Sequence, residues 1–344
     1  MIKAAHRRLR LYLRTGLRQA RREIPFAAAQ SDRRPLDVAV DMLWCLIRWG
    51  ASPSNYEAFG WADRSVPRSA FMTFRLNQRL LRTLNGSIGV PALDDKGAFV
   101  ARFASLLGRH AIILETATKA DIEQLARRAH CIVLKERHGS QGSGVRLLPS
   151  TQEGVDEAWR FRQTCILEEP IRQHESMTKA FGHGVSAIRI VAARDATRVL
   201  HLYAVAYLAS PETASGVVNI HVGALVTQVD ISTGSLMGPA LAKDGHRRLT
   251  SHPSTGVVFD GFRIPYWERA LQLVERAMYL CPEARIIGWD IGIAEDQPVL
   301  IEGNSDPGTY QYAQHRAYGT GRGLRSQAEA LLKAAPGSLV RPRR

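Results

Sequence analysis

The stretch that most constrains this chain is Ile286-Ile-Gly-Trp-Asp-Ile-Gly-Ile-Ala294, followed by Glu295-Asp296-Gln297 and then Pro298-Val-Leu-Ile-Glu-Gly-Asn304. Two apolar, β-branched runs around a short polar turn read as a β-hairpin. Pairing Ala294 with Pro298 across a three-residue loop places Asp290 opposite Glu302, with Asn304 on the same face two residues on. Pro298 stands at the strand start, where a missing N–H is tolerated. One face of the first strand reads Ile287, Trp289, Ile291, Ile293 and is core. The other reads Ile286, Gly288, Asp290, Gly292, Ala294 and is mostly small and open. Facing carboxylates repel, which raises their proton affinity unless a cation lies between them. Two carboxylates and an amide oxygen form the hard-oxygen set that suits Mg²⁺ carrying substrate phosphates.

A second pattern precedes it. The apolar run Ile132-Val-Leu134 ends in Lys135, and Glu136-Arg-His-Gly-Ser-Gln-Gly-Ser-Gly144 leads into a further strand at Val145. Glycines let successive backbone N–H groups point into one concavity that fits phosphate oxygens, beside the point charge of Lys135. No Lys-Ser/Thr follows the last glycine, and a strand rather than a helix follows the loop. The pattern is therefore neither a P-loop nor a dinucleotide fingerprint. Taken alone, the loop does not decide between a phosphate cradle and a ligand-free hairpin.

Apolar spacing predicts helices over 35–49, 68–84, 95–107, 118–129, 267–280 and 324–335. It predicts strands over 111–114, 131–135, 145–148, 165–168, 187–193, 199–209, 223–231, 286–294 and 299–304. The helical stripes of the first ninety residues are expected to be core. The net charge is +14, and residues 1–100 supply +9 of it. In residues 1–23, Ile2, Ala5, Leu9, Leu13, Leu17 and Ala20 share a helical face, with arginines around the rest. Docking of that stripe on the domain is expected, with weak contact to an anionic membrane as the other use. No nucleic-acid reader motif accompanies the arginines. Four isolated cysteines fit neither a zinc site nor a disulfide scaffold, and no apolar run spans a bilayer. The expectation is a cytoplasmic protein, peripheral at most to the inner membrane face.

Together, Val133–Val145, Ile166-Leu-Glu-Glu-Pro-Ile171, Ser186-Ala-Ile-Arg-Ile190, His252-Pro253 and Gly288–Asn304 resemble the ATP-grasp superfamily. Within it, the chain looks most like the sugar-transfer-associated ATP-grasp proteins. The resemblance implies an α+β, ATP-grasp fold of two subdomains enclosing a nucleotide, preceded here by a mostly helical region. The domains expected are 1–90, a small lobe over 91–170, a large lobe over 171–335 and a tail over 336–344. It implies ATP and Mg²⁺ (or Mn²⁺) as cofactors. Lys96 and Lys135 then match phosphate lysines, and Gly139, Ser140, Gly142, Ser143 and Gly144 match the loop that folds over ATP. Glu168, Glu169 and Ile171 match the segment gripping adenine and ribose. Asp290, Glu302 and Asn304 match the metal ligands, and Arg189 an arginine near the γ-phosphate or acyl group. Asn219 and His252 match more weakly.

The activity implied is ligation of a carboxylate to an amine through an acyl phosphate, on small-molecule or sugar-linked substrates in polysaccharide or sugar-conjugate biosynthesis. Two rivals are a kinase acting on a sugar or small metabolite and a basic binding module with a regulatory nucleotide site. Glu136 stands where such loops often carry proline. Residues 1–90 have no evident counterpart.

Overall fold

Short apolar runs between residues 111 and 304 build two antiparallel sheets. The computed structural model describes residues 2–86, 89–139, 144–195, 197–211, 213, 223–242, 245–319 and 323–335, with side chains from residue 15 onward. Two compact units result: Met1–Thr83 with Gly308–Arg344, and Leu84–Pro307. The expected boundary near 170 falls just after a strand of the second unit. Residues 308–335, expected in the large lobe, group instead with the N-terminal helices.

The first unit contains α1 (Ile2–Ser31), α2 (Pro35–Trp49) and α3 (Pro53–Ala58), and α4 (Phe74–Asn85) begins within it. The helix expected from residue 68 starts only at Phe74, after a short 3₁₀ turn over Arg68–Ala70. Ser52 caps α3 through a capping box with Asn55, and Gly50 ends α2 in the left-handed conformation. Asp41 accepts from Arg33, Arg68 and the Tyr56 hydroxyl, which holds its carboxyl at about 2 against the opposing effect of burial. Gln314 explains why the chain after residue 308 belongs here. Its Oε1 accepts from the N–H groups of Met72 and Leu324, and its Nε2 donates to the Met72 and Tyr310 carbonyls.

The expected burial of the helical stripes fails on α2. Val38, Met42 and Cys45 are buried, but the opposite face, also apolar, is exposed. Of the α1 stripe, Leu17 and Ala20 lie among the described side chains, and Leu17 is exposed.

The second unit opens with α5 (Pro91–Asp94) and α6 (Lys96–Phe103). A four-stranded antiparallel sheet follows, in the order β1 (Ala111–Ile113), β4 (Cys165–Glu168), β2 (Cys131–Glu136), β3 (Val145–Pro149). α7 (Lys119–Ala126) and α8 (Gln152–Arg160) cover it, with Ile122, Ile132, Leu134 and Leu167 at its core. After α9 (Glu175–Phe181), the chain enters a seven-stranded antiparallel sheet. Its strands are β5 (Ala187–Arg194), β6 (Val199–Leu208), β7 (Leu225–Val229), β8 (Leu236–Leu241), β9 (Arg248–Leu249), β10 (Ile286–Ile293) and β11 (Pro298–Asn304). The order is β11-β10-β5-β6-β7-β8-β9. α10 (Trp267–Leu280) packs Val274, Ala277 and Met278 onto it. α11 (Arg325–Ala334) belongs to the first unit.

The β10–β11 hairpin differs from its expected register in one respect. Ile293, not Ala294, pairs with Pro298, and Ala294 N–H donates to the Gln297 carbonyl at 2.9 Å. The turn is thus one residue tighter than expected. A bulge at Ile301 restores the count, so that Asp290 does pair with Glu302 and Gly288 with Asn304.

Candidate functional site

Strand alternation puts Arg189, Asp290 and Glu302 abreast on three neighbouring strands: β5 pairs Arg189 with Asp290, and β11 pairs Glu302 with Asp290. The Arg189 guanidinium grips Asp290 in a fork, Nε to Oδ1 at 2.6 Å and Nη2 to Oδ2 at 2.7 Å. Its Nη1 donates to the Pro307 carbonyl at 2.9 Å, and it faces the Tyr207 ring at 5.4 Å. Burial disfavours the arginine charge, but Asp290 outweighs burial and holds the guanidinium above its usual range. Glu302 has the opposite balance. Burial among protein atoms and repulsion by Asp290 push its carboxyl up, while Arg189 Nη2 stays 3.9 Å away. The Glu302 side chain nonetheless keeps 39% of its surface in contact with solvent, so a ligand can reach it.

Asn304 completes this face. Its Nδ2 is buried without a hydrogen-bond partner. Turning the amide end for end presents Oδ1 at the same place, the atom a divalent cation requires. One arginine charge beside two carboxylates leaves a net negative charge, and the orphaned amide supplies a third donor. The set therefore fits Mg²⁺. Gly288 and Gly292 keep the face low: a Cβ at Gly288 would lie 2.9 Å from Pro307 Cβ. At Gly292 it would lie 3.2 Å from both Ile171 Cδ1 and Val299 Cγ2. Ile171 is thereby laid over the same face of β10 that carries Asp290.

Strand β2, helix α6 and the segment before β1 supply the cations. Lys135, at the end of β2, holds Glu168 Oε2 at 2.7 Å, and Arg109 Nη2 holds the same oxygen at 2.8 Å. Glu168 is nearly inaccessible, and burial alone would raise its carboxyl. Arg109 and Lys135 overcome this and hold it at about 2. Lys96 starts α6 directly after its cap Asp95, whose Oδ1 accepts from Gly97 N–H at 2.7 Å. Its Nζ donates to the Gly139 carbonyl. Burial pushes the Lys96 ammonium below its usual range, with Glu302, Lys135 and Glu168 all near enough to act on its charge.

The structure thus gathers Lys96, Lys135, Glu168, Ile171, Arg189, Asp290, Glu302 and Asn304, with Gly139 reached by Lys96. Ser140, Gly142 and Ser143 lie outside the described residues, as does Asn219, and Gly144 closes the loop with φ +72°. Glu169 turns the other way. Its Oε2 accepts from His110 N–H at 3.0 Å, and its Oε1 stands 3.9 Å from Arg128. It lines a cleft of which Ile171 and Arg109 are also walls, together with Pro170, Arg172, Glu295 and Asp296. His252 is buried, its Nε2 2.9 Å from the Ala209 carbonyl, and it packs against Phe181 and Phe259. Sequence reasoning missed Arg109, Asp95 and Tyr207. Only the placement of Arg109 and Asp95 just before β1 and α6 could have signalled the first two. Nothing in the pattern marks Tyr207, because aromatic residues are ordinary in strands.

Residues 148–329 match the profile of a family described as sugar-transfer associated ATP-grasp. The match contains Glu168, Arg189, Asp290, Glu302 and Asn304. No curated protein matches the sequence. Among solved structures, N5-carboxyaminoimidazole synthase from Aspergillus clavatus is similar at 13% identity and TM-score 0.40, over 68% of this chain and 54% of that one. The corresponding synthetase from Staphylococcus aureus is similar at 13% and 0.40, over 67% and 52%. D-alanyl-alanine synthetase A from Vibrio cholerae is similar at 10% and 0.42, over 70% and 65%. The chain spans about half the length of the first two.

Proposed function

Because this chain belongs to the sugar-transfer associated ATP-grasp family, we propose that it is an ATP-dependent ligase joining a carboxylate to an amine, with one partner carried on a sugar conjugate. The observation that carries the reading is the Arg189–Asp290–Glu302 row on three adjacent strands, with the Lys96 ammonium near enough to Glu302 and to Lys135 to act on both.

In this reading, Lys96 and Lys135 bind the nucleotide phosphates as point charges. Glu168 holds the Lys135 ammonium in place, and Arg109 holds the same Glu168 oxygen from the other side. Asp290, Glu302 and Asn304 would hold Mg²⁺, which neutralises phosphate charge when bound. Arg189 orients the Asp290 carboxylate through its fork, and its Nη2 lies toward Glu302.

A substrate carboxylate oxygen attacks the γ-phosphorus and the bond to the β-phosphate oxygen breaks, releasing ADP and leaving an acyl phosphate. The amine nitrogen then attacks the acyl carbon, phosphate departs, and loss of a proton from nitrogen leaves the amide. Charge spreads over the phosphoryl oxygens at the first step, where fixed lysine charges stabilise it.

The test is an assay of ATP with Mg²⁺ and panels of acids and amines, reading ADP, phosphate and product mass. Release of ADP and free phosphate with an amide product is expected. Asp290→Asn and Glu302→Gln should each lose about a hundredfold or more in kcat, the scale seen when transition-state electrostatics are removed. A phosphorylated acceptor, or turnover untouched by both substitutions, would overturn the assignment.

A further inference from the structure

The exposed face of α2 is an apolar surface that the nucleotide site does not use. Leu36, Val40, Leu43, Trp44, Leu46 and Ile47 are each 44–71% exposed. At 100° per residue they cover an arc of about 160° along about 16 Å of helix, with no charged side chain among them. The opposite face of α2 already carries the packing, through Val38, Met42 and Cys45. A contiguous apolar surface of this kind marks a contact site.

The charges around it define the partner. Arg34, Arg48, Arg64 and Arg75 are all exposed. Arg34 flanks the N-terminal end of the helix with its charge offset by Asp37, so among the described residues the uncompensated rim charges are those of Arg48, Arg64 and Arg75. Arg48 lies along the helix edge with its guanidinium over the Trp49 ring. Arg64 acts on the charge of Asp37, and Arg75 Nη2 reaches the carbonyls of Leu46 and Ile47. The acidic residues of the helix are already neutralised: Asp37 by Arg34, Asp41 by Arg33 and Arg68. The partner must therefore be apolar at the centre and anionic at the rim.

A second copy of the chain fails this requirement, because a two-fold contact would lay the arginine rim on itself. The surface is also convex, a single helix face rather than a groove. Lipid yields to such a shape, and the edge position of Trp44 beside arginines suits the headgroup region. α2 has 15 residues, about 22 Å, too short to cross a bilayer and suited to lie in its plane. We propose that the exposed face of α2 seats this protein on an anionic membrane surface, with Leu36, Val40, Leu43 and Ile47 in the acyl boundary and the arginines at the phosphates.

Flotation of the full-length protein tests this with vesicles of phosphatidylcholine alone and of phosphatidylcholine mixed with phosphatidylglycerol. The protein should float with the anionic vesicles, less with the neutral ones and less at high salt. Leu43→Gln with Ile47→Gln should lower partitioning by about a hundredfold, about tenfold for each buried side chain lost. That variant leaves every α1 arginine in place. Both positions are exposed, so its thermal unfolding and ATP binding should match the parent and exclude misfolding. Trp44 fluorescence, read against Trp44→Phe, should shift to the blue only with anionic vesicles. Undiminished binding by the double variant would assign adhesion to other arginines and overturn the proposal. So would failure to float with either vesicle, equal binding to both vesicles, or a dimer or a complex with an added protein that the double variant abolishes.

Discussion

Glu168 is the residue whose removal should be felt both in the fold and at the site. Its carboxylate is 4% exposed and shared by Lys135 at 2.7 Å and Arg109 at 2.8 Å. Lowering a carboxyl from its ordinary 4.5 to about 2 corresponds to about 3 kcal/mol of stability at neutral pH. The cost of breaking a buried pair by removing one partner, about 3–5 kcal/mol, agrees. Because the folded value lies below the unfolded one, this stability is complete above pH 4.5 or so and is lost as the pH falls toward about 2. Glu168→Gln preserves shape and removes the charge. Urea unfolding should show it about 3 kcal/mol less stable than the parent at pH 7, and the gap should shrink below half by about pH 3. The freed Lys135 ammonium should also lose its position, weakening ATP binding in calorimetry. A variant as stable as the parent at pH 7, or a gap that does not narrow on acidification, would refute the ion-pair reasoning.

Three further outcomes follow from the same geometry. Glu302→Gln removes a like charge facing Asp290, so the metal-free variant should unfold at the same or a higher temperature than the parent while losing turnover. Asp95→Ala removes both the cap of α6 and the carboxylate that holds Arg137 Nε at 2.9 Å. It should cost about 1–2 kcal/mol in urea unfolding and weaken ATP binding through Lys96, the first residue of the helix. Gly303→Ala would set a Cβ 2.8 Å from Trp289 Cζ3, a fully buried ring with no room to move. It should lower stability by about 1–3 kcal/mol in thermal or urea unfolding.

The hairpin shows which part of a site a sequence can carry. Alternation of apolar and small residues along β10 told the core face from the open face, because period two is a property of any strand. It therefore located Asp290 and Glu302 on one face. The turn was beyond reach. Whether Glu295-Asp296 or Glu295-Asp296-Gln297 reverses the chain depends on backbone angles that these residue types do not dictate. The extra residue at Ile301 is invisible in a list of apolar residues. The two errors cancelled only because a bulge moves the register by the one residue that the tighter turn removed. The Arg189 fork was also illegible as a contact, since β5 precedes β10 by about a hundred residues and only the sheet order makes them neighbours.

α2 shows the reverse limit. Its sequence is apolar on nearly every side, and a helix of that kind is ordinarily buried all round. Burial, however, needs a partner for each face. Within its own unit α2 packs against α1 and α3 on the Val38–Met42–Cys45 side, while Leu36, Val40, Leu43 and Ile47 remain exposed. Periodicity reports how many faces a helix could bury and says nothing about how many the rest of the chain can cover. An apolar face in excess of the chain's own supply of partners, ringed by arginines, is therefore a signal about what lies outside the molecule. It becomes readable only when exposure and charge are known together.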